Sequence, residues 1–534
     1  MKEKKRLKLK KIHFHPVTAF ILLTGLIILL SGILSFFQVQ ATYSRLNPTT
    51  GTLEKTLVSV ESLLNYNGIK YLISEATKNF ISFTTLSTLL ISLIGLSVAQ
   101  ATGFLDTFIK RVLIKIDNKK ITFMLIFLAT ISSLINEVGY VILIPLSAII
   151  FLKNKRNPLA GIIAAFTGVS FGYGVTIFVG SMEVNLMQTT EQSARLIDQS
   201  YHVALTSNLI IIIISSIILS IIGTLIIEKI IIPKLGKYKD HNEMPLESVE
   251  VKEELEDYEM IEQKKMAEEI REKKGMKNAL ITTIAFIILF IYMLIPNLPF
   301  SGLLLDMDEA TYLGQVFGEN AYFQDGFTYL ISLYFLIVGI AYGLGAKTIT
   351  NDKELVKESG KYIADIGTLI IMIFFAAQFI AVFKKTNLAT IITAWGANII
   401  NSVNFTGIPL IILVVILIAI INLFVTTPVA KWTILAPVVV PKLMQSNISP
   451  EFAQFILRAG DSMTKGITPL LAFFVIFVGY LNRYNPDQRK PITIGNSIRM
   501  IAPYCFIISI VWLVIILLWY LTGLPIGPGV YPTL

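Results

Sequence analysis

The chain has 534 residues, of which 54% are hydrophobic and only 15% charged. Soluble globular chains carry about 25% charge, so an ordinary water-soluble enzyme and a disordered protein are both excluded. Apolar runs of about 20 residues recur from end to end and indicate a polytopic membrane domain. The net charge of +9 sits in particular loops, where it sets orientation and gives no reason to expect nucleic acid as a partner. One cysteine, Cys505, and four scattered histidines (His13, His15, His202, His241) allow no disulfide framework and suggest no metal cluster. No cofactor is expected.

Met1–Lys11 is rich in Lys and Arg and precedes the apolar run Val17–Phe37. That run exceeds the core of a signal peptide, about 7–15 residues, and reads as a retained first span behind a cytoplasmic tail, residues 1–16. A second span is expected near Phe83–Phe104, followed by a basic loop with Lys110, Arg111, Lys115, Lys119 and Lys120. Ile121–Leu152 is apolar but interrupted at Asn136-Glu137-Val138-Gly139, and Lys153-Asn154-Lys155-Arg156 follows it. Both flanking loops are basic and therefore cytoplasmic, and one crossing cannot begin and end on the same side. A re-entrant hairpin over 121–152 resolves this. Each arm, about 14 residues or roughly 21 Å, falls short of the hydrocarbon core. Spans near Gly161–Gly180 and Leu209–Ile232 complete a first half, 17–232.

Residues 233–277 are highly charged (Glu253-Glu254, Lys264-Lys265, Glu268-Glu269) and read as a solvated cytoplasmic helix or linker. The second half, 278–534, opens with spans near Asn278–Leu294 and Phe327–Leu344. The loop between them carries Asp306, Asp308, Glu309 and Glu319 without Lys or Arg, as an external loop should. The basic loop Lys347–Lys361 is internal, and a span near Tyr362–Phe383 leads out again. Ile408–Leu443 is broken at Thr426-Thr427-Pro428, giving a second re-entrant hairpin over 408–443. Spans near Phe452–Leu481 and Ile501–Leu521 end the chain, with Arg483, Arg489, Lys490 and Arg499 between them on the cytoplasmic side. The expected fold is an all-α polytopic membrane protein of about nine transmembrane helices and two re-entrant hairpins. The N-terminus would be inside and the C-terminus outside.

The two halves align without gaps. Pro145 and Pro437 differ by 437 − 145 = 292 positions, and the same offset pairs Pro158 with Pro450, Gly168 with Gly460, Ser170 with Ser462, Gly174 with Gly466 and Thr176 with Thr468. The loop charges give the repeats opposite orientation. Such an inverted-topology repeat underlies many secondary transporters, with the hairpin tips meeting near the midplane, where broken backbone is tolerated only around a cavity.

Chemistry-bearing residues gather at the breaks. Arg458-Ala459-Gly460-Asp461-Ser462-Met463-Thr464-Lys465-Gly466-Ile467-Thr468-Pro469 lies inside an otherwise apolar span. A charge at bilayer depth costs at least about 2.5–3.5 kcal/mol and needs a partner or a wet cavity. Arg458 and Asp461, three apart, share one helical face. They either staple helices as a buried ion pair, or Arg458 binds a substrate carboxylate while Asp461 orients it or exchanges a proton. Glu137 at the first tip either couples to protons or caps free N–H groups. Asn136, Ser132 and Ser133 either coordinate or serve helix packing. At the second tip, Trp432 either contacts an aromatic group or fills the core, and Lys431 either attracts an anion or snorkels. Lys465 adds positive charge near the break, and Glu183, close to the outer end of its span, is expected to be solvated.

At these residues the chain resembles the AbgT family of p-aminobenzoyl-glutamate transporters, within the ion transporter superfamily, from about Pro16 to Gly529. The resemblance is carried by the Arg458–Pro469 run, Ala430-Lys431-Trp432 with Ala436-Pro437, and Phe374-Phe375-Ala376-Ala377-Gln378-Phe379. Gly139-Tyr140-Val141 with Ile144-Pro145, and Gly523-Leu524-Pro525-Ile526-Gly527-Pro528-Gly529, add to it. It implies nine spans, two re-entrant hairpins and a homodimer. It also implies carriage of p-aminobenzoyl-glutamate, a folate breakdown product, or export of sulfonamide-like antimetabolites. The family's site positions fall on Trp432, Arg458, Asp461 and Pro469. The chain departs from the pattern with Glu137 for an Asp, Val429 for a Ser, Lys465 for an Asn, and Ser132-Ser133 for a Ser-Asn pair.

The expectation is therefore a secondary active transporter of a small aromatic organic anion in the cytoplasmic membrane of a bacterium, in contact with lipid and paired with a second copy. Trp432, Arg458, Asp461, Pro469, Lys431 and Asn136 would bind substrate, and Glu137 and Asp461 would couple to a proton, with sodium as the other candidate ion. A dicarboxylate or amino-acid carrier of the same superfamily is the nearest alternative, and a channel is a further one. An intramembrane enzyme is disfavoured, since H-E-x-x-H does not occur and the histidines lie outside the candidate site.

Overall fold

The computed structural model describes residues 14–46, 52–113, 116–135, 137–238, 258–318, 320–364, 366–487 and 489–534. The basic tail up to residue 13, Lys115, Asn136, the Glu253-Glu254 pair and Glu319 lie outside the described residues. The protein is helical almost throughout. Seven described helices are long and apolar enough to cross a membrane.

Helix α1, Pro16–Phe36, is followed by a two-stranded antiparallel hairpin, β1 (Gln40–Leu46) and β2 (Leu53–Ser59), in which Tyr43 pairs with Thr56. Helix α2, Thr84–Ala101, is the next candidate span. The first hairpin consists of α3, Asn118–Ile131, a tight turn at Ser132–Ile135, and α4, Val138–Lys153. At 14 and 16 residues, its arms reach about 21 and 24 Å, short of a 30 Å hydrocarbon core. Arg156 fixes its base, donating to Glu228 at 2.6 Å, to the Thr122 hydroxyl at 2.9 Å and to the Asn118 carbonyl at 3.1 Å.

Helix α5, Pro158–Phe171, stops at a break, and the chain then folds into α6, Ser181–Ala194, before the long α7, Leu209–Ile226, which continues to Leu235. Helix α8, Tyr258–Met293, runs through residue 277 without interruption, so the described part of the charged connection and the span after it form one rod of 36 residues. Lys110 and Arg111 hold its charged part through Glu272, at 3.2 and 2.9 Å. Then come α9 (Tyr322–Ala346), α10 (Asp352–Ala364), α11 (Gly367–Lys385) and α12 (Leu388–Ser402). The second hairpin pairs α13, Gly407–Asn422, with α14, Pro428–Met444. Helix α15, Pro450–Thr464, breaks over Lys465–Phe473 before α16, Phe474–Arg483, and α17, Ile494–Thr522, closes the fold. Helices α5 and α15–α16 are the two broken members that accompany the seven continuous spans.

The repeat read from scattered Pro, Gly and Ser matches holds element by element. Adding 292 to Pro158, the first residue of α5, gives Pro450, the first of α15. Both follow a polar cap, Asn157 accepting from the Leu159 amide and Ser449 from the Phe452 amide, and Pro suits this position because its missing N–H has no intrahelical partner there. The halves also touch reciprocally. The Gly174 amide donates to the Ser462 hydroxyl at 2.7 Å, while a Cβ on Gly466 would lie 3.1 Å from the Ser170 side chain. Residue 174 meets the equivalent of 170, and the equivalent of 174 meets 170, as a local two-fold requires. Tyr140 fastens the first hairpin to this junction, donating to Ser170 at 3.1 Å and stacking on Phe473 at 5.2 Å.

A methyl group on Gly174 would sit 2.6 Å from both the Arg458 carbonyl and the Ser462 hydroxyl. Gly174→Ala should therefore destabilise the protein by about 1–3 kcal/mol, read as an earlier thermal transition in detergent. Gly25→Ala, where nothing lies within 4 Å, should show no loss.

Candidate functional site

Four elements place charge at the breaks: α15 and the turn after it (Arg458, Asp461, Lys465), the first turn of α14 (Lys431, Trp432), the first turn of α6 (Glu183), and the tip of the first hairpin (Glu137). Arg458, Asp461, Lys431 and Lys465 are at most 1% exposed. Charges so buried persist only when paired, and each of these is.

Arg458 and Asp461 share a helix, but their ion-pair partners lie elsewhere. Arg458 Nη1 donates to Glu183, whose second oxygen accepts from the Gly180 amide at 2.9 Å. Arg458 Nε and Nη2 have no acceptor among the described residues, although both are buried. Asp461 Oδ1 accepts from Lys431 Nζ, which also donates to Asn422 Oδ1 at 2.6 Å. Asn422 in turn donates to the Asp461 carbonyl at 2.7 Å and to the Thr464 hydroxyl at 3.2 Å. Asp461 Oδ2 is buried without a donor among the described residues. Lys431 does not snorkel; Pro428 at the start of α14 and the break before it direct the side chain inward.

Trp432 is wholly buried, and its Nε1 donates to the Thr190 hydroxyl of α6 at 2.8 Å; that hydroxyl lies 2.9 Å from Gln454 Oε1. Pro469 is half-buried within the break, next to Thr468, whose hydroxyl donates to the Leu423 carbonyl at the second tip at 2.6 Å. Ser132 and Ser133 donate to backbone carbonyls, of Ala129 at 2.7 Å and Val175 at 2.9 Å, and so act in packing. Asn136 lies outside the described residues.

Glu183 corrects the sequence reading. It is not solvated but 2% exposed, because the chain turns at Gly180 and α6 packs back against α14. Its polar sequence, SMEVNLMQTTEQSA, has the look of an external loop. The available signal was an acid three residues after a glycine, at the position where a carboxylate accepts from the first free amide of a helix. Lys465 also exceeds its expected role. Its ammonium donates to the Thr426 carbonyl at 3.1 Å, stands 3.7 Å from Glu137 and lies 3.4 Å from the centre of the Tyr173 ring.

The site thus holds three cations and three acids, with spare hydrogen-bonding atoms on Arg458 and Asp461. Buried ion pairs at helix breaks between half-crossing hairpins form the architecture of a membrane transporter. A profile described as the AbgT putative transporter family matches residues 10–534, and the chain belongs to that family. It is 30% identical over 520 residues to the p-aminobenzoyl-glutamate transport protein of Escherichia coli K12, covering 97% of this chain and 94% of that one. Among solved structures, the YdaH transporter of Alcanivorax borkumensis, described as having an unusual topology, is 29% identical, with 96% of this chain and 100% of that one covered and a TM-score of 0.47. MtrF of Neisseria gonorrhoeae, described as illuminating a class of antimetabolite efflux pumps, is 31% identical, with 98% of each chain covered and a TM-score of 0.47.

Removing one partner of a buried pair leaves an uncompensated charge, at a cost of about 3–5 kcal/mol. Glu183→Gln and Arg458→Met should each lower the thermal transition in detergent, and the double variant should recover most of the loss. Simply additive losses would show that the two side chains do not act as a pair.

Proposed function

We propose that the protein is a secondary active carrier of small aromatic carboxylates, with p-aminobenzoyl-glutamate for uptake or a sulfonamide-like antimetabolite for export as its substrate, and that it performs no chemistry on what it carries. The supporting observation is the Nε–Nη2 edge of Arg458. With Nη1 committed to Glu183, this edge presents two parallel donors, the arrangement that grips a carboxylate at both oxygens. Lys431 and Asp461 would complete the polar surroundings of the anion, Trp432 would contact its aromatic group, and Pro469 and Asn136 would be further substrate contacts.

Charge balance supports coupling. Three cations face three acids, so the empty site is formally neutral and an entering anion leaves it negative in a low-dielectric interior. A proton accepted by Glu137 or Asp461 restores neutrality; sodium is the other candidate ion. On the side that the loop charges assign to the cytoplasm, a cavity of about 610 Å³ lined by Leu152, Met372, Tyr480 and Arg483 adjoins one of about 200 Å³ lined by Gln100, Pro145 and Lys153. These clefts lie between the hairpin-bearing helices and α2 with α11, and offer a route inward. The protein would act as a homodimer in the bacterial cytoplasmic membrane, with its N-terminus inside and its C-terminus outside.

Flux into proteoliposomes under imposed proton or sodium gradients tests this reading. Arg458→Lys keeps the charge but loses the fork, and Asp461→Asn loses the charge; each should lower p-aminobenzoyl-glutamate flux by at least about tenfold, a lost charge-assisted hydrogen bond, with assembly intact. Wild-type flux in either variant rejects these roles. Equal competition by plain dicarboxylates would reject the aromatic specificity.

A further inference from the structure

Among the described residues, one side chain reaches both re-entrant tips. Lys465 follows α15 at the break, and its ammonium reaches the Thr426 carbonyl at the second tip at 3.1 Å and the Glu137 carboxylate at the first tip at 3.7 Å. Its third neighbour is the face of Tyr173 at 3.4 Å. Tyr173 is the repeat equivalent of Lys465, since 465 − 173 = 292. The ammonium therefore lies where the two halves meet, a place from which one side chain touches both tips. Only one half carries the charge. Carboxylate, carbonyl oxygen and ring face are the ligands that a small monovalent cation takes from a protein.

The three ion pairs differ in tightness. Lys431–Asp461 and Arg458–Glu183 are in direct contact, with every side chain at most 3% exposed. Lys465–Glu137, at 3.7 Å, stands beyond the 2.7–2.9 Å of a charge-assisted hydrogen bond, and its carboxylate is 33% exposed while the lysine is fully buried. It is the loosest of the three and has one member in reach of solvent. The other charges near it, Asp461 and Lys431, are committed to each other.

We propose that Lys465 is a built-in cation site linking the two hairpin tips: its ammonium holds both tips closed over the substrate site, and the tips part when it releases Glu137. This rests on the transport reading and adds to it the element that couples the hairpins. Removal of the side chain beyond Cβ leaves a site shaped for n-propylammonium, which has the three missing carbons and the charge.

The test uses full-length protein in proteoliposomes in a Cys505→Ser background, with spin labels at Ser132 and Thr427 reporting the distance between the tips. Lys465→Ala should broaden and lengthen that distance and lower gradient-driven flux by at least about tenfold, within the usual range of coupling energies. Millimolar n-propylammonium should restore both, and neutral n-propanol neither. Lys465→Arg, which keeps the charge, should stay close to wild type. Unchanged distances in Lys465→Ala, or rescue by the alcohol as well as the ammonium, or by neither, overturns the proposal. Should the alanine variant fail to assemble, Lys465→Gln takes its place in the distance measurement, where a wild-type distribution overturns the proposal equally. The distance readout needs no substrate, so wild-type protein that moves no aromatic anion refutes the transport reading while the tip measurement still decides this one.

Discussion

Ionised side chains in a medium that solvates them poorly are the constraint around which this molecule is organised. Each buried charge demands a counter-charge at contact distance, and such partners come from distant parts of the chain. Arg458 finds Glu183, Asp461 finds Lys431, and Lys465 finds Glu137. The breaks in α5 and α15 and the hairpin turns are the places where the backbone leaves its helical ladder and lets these side chains converge. A run of uninterrupted helices would have carried the same residues past one another on separate faces.

The packing serves that convergence. Glycines at the crossing of the two halves let backbone approach side chain, as where the Gly174 amide reaches Ser462. Aromatic contacts such as Phe166 on Phe477, at 4.0 Å between ring centres, and Tyr140 on Phe473 bind the first half to the second near the site. The Arg156–Glu228 contact anchors the base of the first hairpin and leaves its tip as the end that can move. Rigid bases and a loosely paired tip are what a carrier that must open alternately to two sides requires.

Much of this is legible in the residues. The spans, both hairpins and the 292-residue repeat follow from apolar length, loop charge and a few Pro, Gly and Ser matches, because these report local geometry directly. Arg458, Asp461 and Glu137 stand out because charge in an apolar run is costly wherever it occurs. Glu183 does not stand out, since it lies in a short polar stretch and its partner is 275 positions away. The helix around it is too brief and too polar to announce itself by apolar periodicity. The hairpin of β1 and β2 and helix α12 escape the same kind of reading, for their segments are shorter than a span and lie between stronger signals. Lys465 reads as one more positive charge until the fold shows which groups surround it.

The equality of three cations and three acids reaches beyond stability. A membrane potential does work only on net charge, about 2.3 kcal/mol per elementary charge per 100 mV. In the cycle proposed above, with all six groups ionised, the unloaded site would present none, and voltage would act chiefly on the loaded stroke, through whatever charge the cargo and its accompanying ion add together. The electrical sign of such a cycle would be set by the passenger and not by the carrier.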